Sequence, residues 1–343
     1  MPILPKFCIR ALPASSPKER AAVLALLAAA LCAGAALSLR CGAQDYTAAQ
    51  LLAALDGGDE TVRRILVHVR LPRTLAAAMA GSALALSGAL IQAVLNNTMA
   101  SPNVIGVNAG AGFASMLAAT VSPGGGWMPA ASFLGALCTA LLIYLLAARA
   151  GLSRTTLILA GIAVSSILTA GINTITLLFP GTVAGSSGFL LGGFSGVTLA
   201  ALRRAAGYLA AGTALAGGLA VDLNILQLGE ESAAGLGLFV GRTRFLSILA
   251  AALLAGAAVS FAGLLGFVGL LVPHMARRLI GGDNRWLLPA SALLGGAFVL
   301  FCDVLSRVLF APFELPVGIV MSLLGGPFFL YLLLHRKRSR VYA

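Results

Sequence analysis

LAAAMAGSALALSGALIQAVL, residues 75–95, holds no charged side chain; its polar members are Ser82, Ser87 and Gln92. It reaches roughly the 20 residues needed to cross a hydrocarbon core about 30 Å thick. Lipid offers no partners to a free backbone, so such a run has to be a helix. The same reading applies to Ala21–Leu39, Met128–Ala148 and Thr155–Phe179. Across all 343 residues the chain is 59% hydrophobic and 10% charged, with a mean hydropathy of +0.98, which excludes a soluble globular protein.

Working outward predicts helices near 21–39, 74–95, 102–121, 128–148, 155–179, 200–221, 243–263, 264–281, 287–309 and 316–335. The fold class is therefore all-α, a polytopic bundle of about ten transmembrane helices. Much of the glycine lies inside these runs, as at Gly106, Gly110, Gly263, Gly266 and Gly269, and small residues let membrane helices approach closely. Ser101-Pro102 and Leu315-Pro316 read as helix starts, since proline suits the first helical position. Phe179-Pro180-Gly181 reads as a stop, Pro273 is expected to kink or end its helix, and Gly185–Gly196 is too short to span and reads as a re-entrant or interfacial piece.

An even number of spans puts both termini on one side. If that side is the cytoplasm, the inner segments hold 15 of the 23 basic residues, as expected when Lys and Arg set orientation. The net charge of +12 is thus membrane topology rather than a nucleic-acid surface. Lys6, Arg10, Lys18 and Arg20 precede the first run; that run is longer than a typical signal-peptide core and many spans follow, so it is expected to be retained. The cysteines, Cys8, Cys32, Cys41, Cys138 and Cys302, are scattered and suggest neither a metal site nor a disulfide framework. His68, His274 and His335 are too dispersed to suggest a metal centre.

No GxxxxGK[ST] stretch is present, so the chain lacks a phosphate cradle of the P-loop kind. Catalytic residues and metal ligands are expected to be absent. The acids fall almost wholly in loops, which argues against an ion-coupled carrier, the alternative from another class. Asp303 is the exception: it lies inside a span four residues before Arg307, a spacing that places both on one helix face. The longest polar interruption, Asp222 to Arg244, allows short helices joined at glycines, a plausible dock for a soluble partner.

Several motifs carry a family resemblance. They are Arg70-Leu-Pro-Arg73, Gly81 to Gln92, Ser101 to Gly112, Leu159 to Ala163, Gln227-Leu-Gly-Glu-Glu231, Gly266 to Arg277, Glu314 to Gly318 and Gly325 to Phe329. In this order, over roughly residues 60–335, the chain resembles the FecCD family of importer permeases, which carry ferric siderophores, haem and cobalamin.

The resemblance implies a bacterial inner-membrane protein with cytoplasmic termini, acting by alternating access. Expected partners are a second copy of the chain, two cytoplasmic ATPase subunits and an extracytoplasmic binding protein. No cofactor is expected in this chain; ATP and Mg belong to the ATPase. By similarity Arg70, Arg73 and Arg307 are outward-facing docking sites for acidic residues of the binding protein. Gln227, Leu228, Gly229, Glu230, Glu231 and Gly235 couple to the ATPase within a loop at 222–241. Asn97, Thr98, Met99, Ser153 and Arg154 form the cytoplasmic gate, with Thr98 where the family usually has proline. The expected organisation is a cytoplasmic tail at 1–20, one transmembrane domain at 21–335 and a basic tail at 336–343. A ferric siderophore or related metal chelate is the expected cargo, with haem or cobalamin as the alternative within the family.

Overall fold

The computed structural model describes residues 16–334 apart from 43, 57, 123–125, 152 and 312. The expected tail at 336–343 and most of that at 1–20 lie outside the described residues.

In chain order the helices are α1 (Pro17–Arg40), α2 (Ala48–Leu55), α3 (Glu60–Ile65), α4 (Leu71–Val94), α5 (Val107–Val121), α6 (Met128–Arg149), α7 (Arg154–Leu178) and α8 (Pro180–Leu191). They continue with α9 (Leu199–Gly218), α10 (Ala220–Leu226), α11 (Glu230–Gly235), α12 (Val240–Ala262), α13 (Val268–Ile280), α14 (Asn284–Val308) and α15 (Val317–Leu334). Among the described residues there is no strand. The chain is a polytopic helical bundle.

Every expected span coincides with a helix, but the spans differ in reach. Among the described residues, six helices are by length and composition long and apolar enough to cross a membrane, or seven if α9 and α10, bent by 52°, count as one. The remaining helices are shorter. α13 has 13 residues, about 20 Å at 1.5 Å per residue. Its unwound approach and the 3₁₀ turn Pro102–Ile105 before α5 are tolerable at membrane depth because protein, not lipid, surrounds them; Ile105 and Leu265 are both buried.

Three boundaries differ from expectation. α4 is continuous with α3 through a π turn at Leu66–Arg70, whereas the charges at Arg70 and Arg73 suggested a start near 74. Inside the protein Arg73 is ion-paired and Arg70 is satisfied by backbone carbonyls, so neither ends the helix. α1 begins at Pro17, inside the expected tail, because Ser16 and Glu19 form a reciprocal capping box. α13 runs on through Pro273 to Ile280.

One end of the bundle, called the near end, holds the start of α1, the ends of α4 and α10 and the start of α14: Arg20 lies 3.7 Å from Asp283, and Asn224 donates to Asp283 at 2.7 Å. The far end gathers the last turn of α1, the starts of α4 and α15 and the last turn of α14. Between them α4 is buried along most of its length. It packs against α12, α13 and α14. A Cβ at Gly88 would collide with the carbonyl of Gly269, and one at Gly81 with that of Gly295. Backbones this close gain dispersion contacts that larger side chains would prevent.

Candidate functional site

At the far end a buried ionic cluster ties four segments together. Arg70 and Arg73 stand three apart at the start of α4; Asp303 and Arg307 stand one turn apart on α14. Arg73 Nε donates to Asp303 Oδ1 at 2.9 Å and its Nη1 to Glu314 Oε2 at 2.6 Å. Arg307 Nη2 lies 3.0 Å from Asp303 Oδ2, so the pair expected from sequence spacing is present. The third member, Arg73, is 230 positions from Asp303 and local spacing gave no sign of it.

The two outer guanidiniums serve α1. Arg307 Nη1 donates to the carbonyls of Ser38 and Cys41 at 3.1 and 2.9 Å, and its Nη2 to Ser38 Oγ at 2.8 Å. Arg70 Nη1 donates to the carbonyls of Leu39 and Arg40 at 2.6 and 2.7 Å, its Nη2 donates to that of Gln44, and its guanidinium lies 4.6 Å from the centre of the Tyr46 ring. Cations are favourable at a helix C-terminus, where carbonyls lack intrahelical partners. This corrects the expectation of an accessible arginine rim: Arg70, Arg73 and Arg307 are only 6%, 7% and 4% exposed. The exposed far-end cations are instead Arg40, Arg63, Arg64, Arg203 and Arg204.

The near end is built on opposite lines. α10 is anchored by buried Leu223 and Leu226, and Asn224 joins it to α14 by donating to Asp283 and accepting from the Asn284 backbone at 2.8 Å. Burial pushes the Asp283 carboxyl up, but hydrogen bonds from Asn224 and Arg285 outweigh it and hold the group below the usual carboxylate range. Past Gln227 the chain turns outward at Gly229, whose φ of 108° suits glycine. Leu228, Leu236 and Phe239 around α11 are 63%, 65% and 77% exposed. The last two were absent from the sequence-derived site; their signal was apolar residues in an otherwise polar loop.

Within the expected coupling set, Glu231 is exposed and a Cβ at Gly235 would meet open space. Gln227 receives a 3.4 Å hydrogen bond on its carbonyl from Asn96 Nδ2. Glu230 is not a free surface charge. It forks with Arg244, a residue of α12 that sequence reasoning passed over.

The expected gate segments share the near end. Ser153 caps α7, accepting from the Thr156 N–H at 3.1 Å, while Arg154 buries its Nε without a hydrogen-bond partner among the described residues. Asn97 accepts from the Met99 N–H at 3.0 Å and its carbonyl from the Ala100 N–H at 3.1 Å. Thr98 therefore occupies the second position of a turn, where proline is also favoured and the closing hydrogen bond does not use the N–H. The loss of proline leaves a turn in place.

Between the ends, α7 is peripheral and exposes Ser166, Thr169, Asn173 and Thr174 beside Leu159, Ile162 and Ile167. At the far end a cleft of about 610 Å³ is lined by Arg73, Arg204 and Glu314, the glycine-rich loop at 192–196 and the end of α12.

Comparison with known proteins agrees with this architecture. Residues 26–335 match the FecCD transport family. Among curated relatives, an Fe(3+)-citrate import system permease protein of Bacillus subtilis, YfmE, is 36% identical over 94% of this chain and 98% of its own length. The cobalamin import system permease protein BtuC of Halobacterium salinarum is 40% identical over 82% of this chain and 76% of its own, and the hemin transport system permease protein HmuU of Yersinia pestis is 36% identical over 82% and 86%. A solved metal-chelate type ABC transporter in an inward-facing conformation superposes with a TM-score of 0.84 at 28% identity, covering 92% of this chain and 99% of that one. With that agreement of sequence along almost the whole chain and of backbone throughout the bundle, the chain belongs to the FecCD transport family.

Proposed function

We propose that this chain is one of two identical halves of an ATP-driven import channel for a metal chelate, with α7 lining the passage between them. The exposed polar stripe of α7 carries this reading. Ser166, Thr169, Asn173 and Thr174 follow helical spacing on a span that otherwise resembles a lipid-facing helix. Polar side chains within the membrane generally face a bundle interior or a watery cavity rather than lipid. A second copy across this face would enclose such a cavity, lined by neutral groups that hold a bulky chelate weakly and let it leave.

The near end is assigned to the cytoplasm, where most of the basic residues then lie, and with it both termini and the inner membrane of a bacterium. Two ATPase subunits supply ATP and Mg chemistry and dock on the apolar patch Leu228, Leu236 and Phe239, with Gln227, Gly229, Glu231 and Gly235 shaping the loop. Asn97, Thr98, Met99, Ser153 and Arg154 close the passage on that side. An extracytoplasmic binding protein docks at the far end. Arg70, Arg73 and Arg307 support that surface from beneath, and Arg40, Arg63, Arg64, Arg203 and Arg204 are its accessible cations. A ferric siderophore or ferric carboxylate chelate is the proposed cargo; the haem and cobalamin relatives define the alternative.

Single cysteines at Ser166 and Asn173, placed in a variant lacking the native cysteines, test the passage. A water-soluble thiol reagent should label both in the assembled transporter, and Asn173→Cys should cross-link between copies. Labelling confined to lipid-soluble reagents, with no cross-link, would overturn the reading. Uptake of ferric citrate, haem and cobalamin into vesicles carrying the full complex then separates the cargoes.

A further inference from the structure

The near-end patch raises a mechanical question. α11 has six residues and is largely exposed, with Ala233 as its buried side chain. A helix so loosely seated would yield to a push rather than transmit it. Yet Glu230, its first residue, is gripped by Arg244: Nη1 donates to Glu230 Oε2 at 3.2 Å and Nη2 to Oε1 at 2.5 Å. This fork is two-pronged and charge-assisted, the strong and directional kind. Its guanidinium side is buried, Arg244 being 5% exposed, while the Glu230 side chain is about half exposed.

Where Arg244 sits gives the fork its consequence. It occupies the second turn of α12, a 23-residue helix about 35 Å long at 1.5 Å per residue, buried over most of its length. The other end of α12 reaches the far-end cleft, where Ser260, Phe261, Ala262 and Gly263 form part of the wall. There Ala262 accepts from the Gly193 N–H at 2.8 Å, and Phe189 of α8 accepts from the Leu264 N–H at 2.9 Å. One rigid rod thus connects the exposed patch to the cleft, and beside the short link at 236–239 the Arg244–Glu230 fork fastens its near end directly to the first residue of α11.

We propose that Arg244 is the positioning residue that locks α11 to α12, so that displacement of α11 by an ATPase is delivered along α12 to the far-end cleft. This rests on the proposed docking of an ATPase at α11. Arg244 itself is buried and acts through Glu230. Cutting the fork uncouples the stroke from the passage without removing the docking patch.

The test uses the full transporter, with its ATPase and binding protein, in vesicles. Arg244→Gln should retain ATPase copurification and ATP turnover, while chelate moved per ATP falls about tenfold, the scale of losing a charge-assisted hydrogen bond. The reversed pair, Glu230→Arg with Arg244→Glu, should recover most of that ratio, whereas Arg244→Lys, which cannot fork, should not. Rescue by reversal is a readout that general destabilisation would not produce, and thermal unfolding of each variant in detergent checks the fold. An unchanged ratio in Arg244→Gln overturns the proposal, as does a reversed pair that folds and binds the ATPase yet stays uncoupled. Failure of the unaltered chain to bind an ATPase would instead sink the functional reading on which the proposal rests.

Discussion

The two ends of the bundle use charge in opposite ways. At the far end, three arginines and Asp303 are withdrawn from water and satisfied by one another, by Glu314 and by the carbonyls closing α1. At the near end the ion pairs, Arg244 with Glu230 and Asp283 with Arg20 and Arg285, each keep one partner partly exposed, and a glycine-hinged segment offers Leu228, Leu236 and Phe239 to the surroundings. Charges buried together hold segments in fixed positions, because breaking any pair leaves an uncompensated ion. Exposed apolar groups on a short helix add little to the fold but much to an association. The far end is therefore a structural knot, and the near end carries the exposed apolar patch to which docking is assigned in the proposed function.

Removing Asp303 should give the largest effect. Asp303→Ala leaves Arg73 and Arg307 facing each other in a buried site and should destabilise the protein by about 3–5 kcal/mol, read as loss of monodisperse protein or a lowered unfolding temperature in detergent. A variant as stable as the parent would mean that water already screens the cluster, and the contrast between the ends would fail.

The matching test at the near end is Leu236→Ser combined with Phe239→Ser. Stability should stay within about 0.5 kcal/mol, as for exposed sites. Affinity for the partner ATPase should drop by about 2 kcal/mol or more if these are anchor residues, measured by titration in detergent. Equal binding before and after would show that the patch faces lipid or solvent only.

A smaller effect belongs to Asp283, whose carboxyl is held below its ordinary value. A group with a depressed folded value contributes stability that is fully present above its unfolded value, near 4, and lost as pH falls through the folded value. Stability should therefore be level in this respect from pH 7 to 5 and decline below about pH 4. Asn224→Leu, which removes a hydrogen bond to the carboxylate, should flatten that part of the decline; an identical acid limb in both proteins would contradict the assignment.

The smallest effect is expected at Glu60, whose carboxylate pairs with Arg63 and Arg64 at 3.1 and 3.0 Å in an exposed setting. Glu60→Gln should change stability by less than about 0.5 kcal/mol. Should it instead increase association with an acidic partner at low salt, as unmasked arginines would, Arg63 and Arg64 gain weight as far-end docking cations.

Sequence alone determined the apolar spans and with them the helical fold, since a backbone in lipid can satisfy itself only internally. The i, i+4 pairing of Asp303 with Arg307 and the short helices joined at glycines after Asp222 were also legible, because both depend on residues a few positions apart. Tertiary structure decided what each charge does. Arg70 and Arg73 read as surface residues until α1 and α14 enclose them; Glu230 reads as a free carboxylate until the chain returns at Arg244; Leu236 and Phe239 go unmarked until the loop is seen exposing them. Burial and ion pairing depend on segments distant in sequence, with Arg73 and Asp303 separated by 230 positions, and periodicity along a single helix carries no record of which neighbour will cover it.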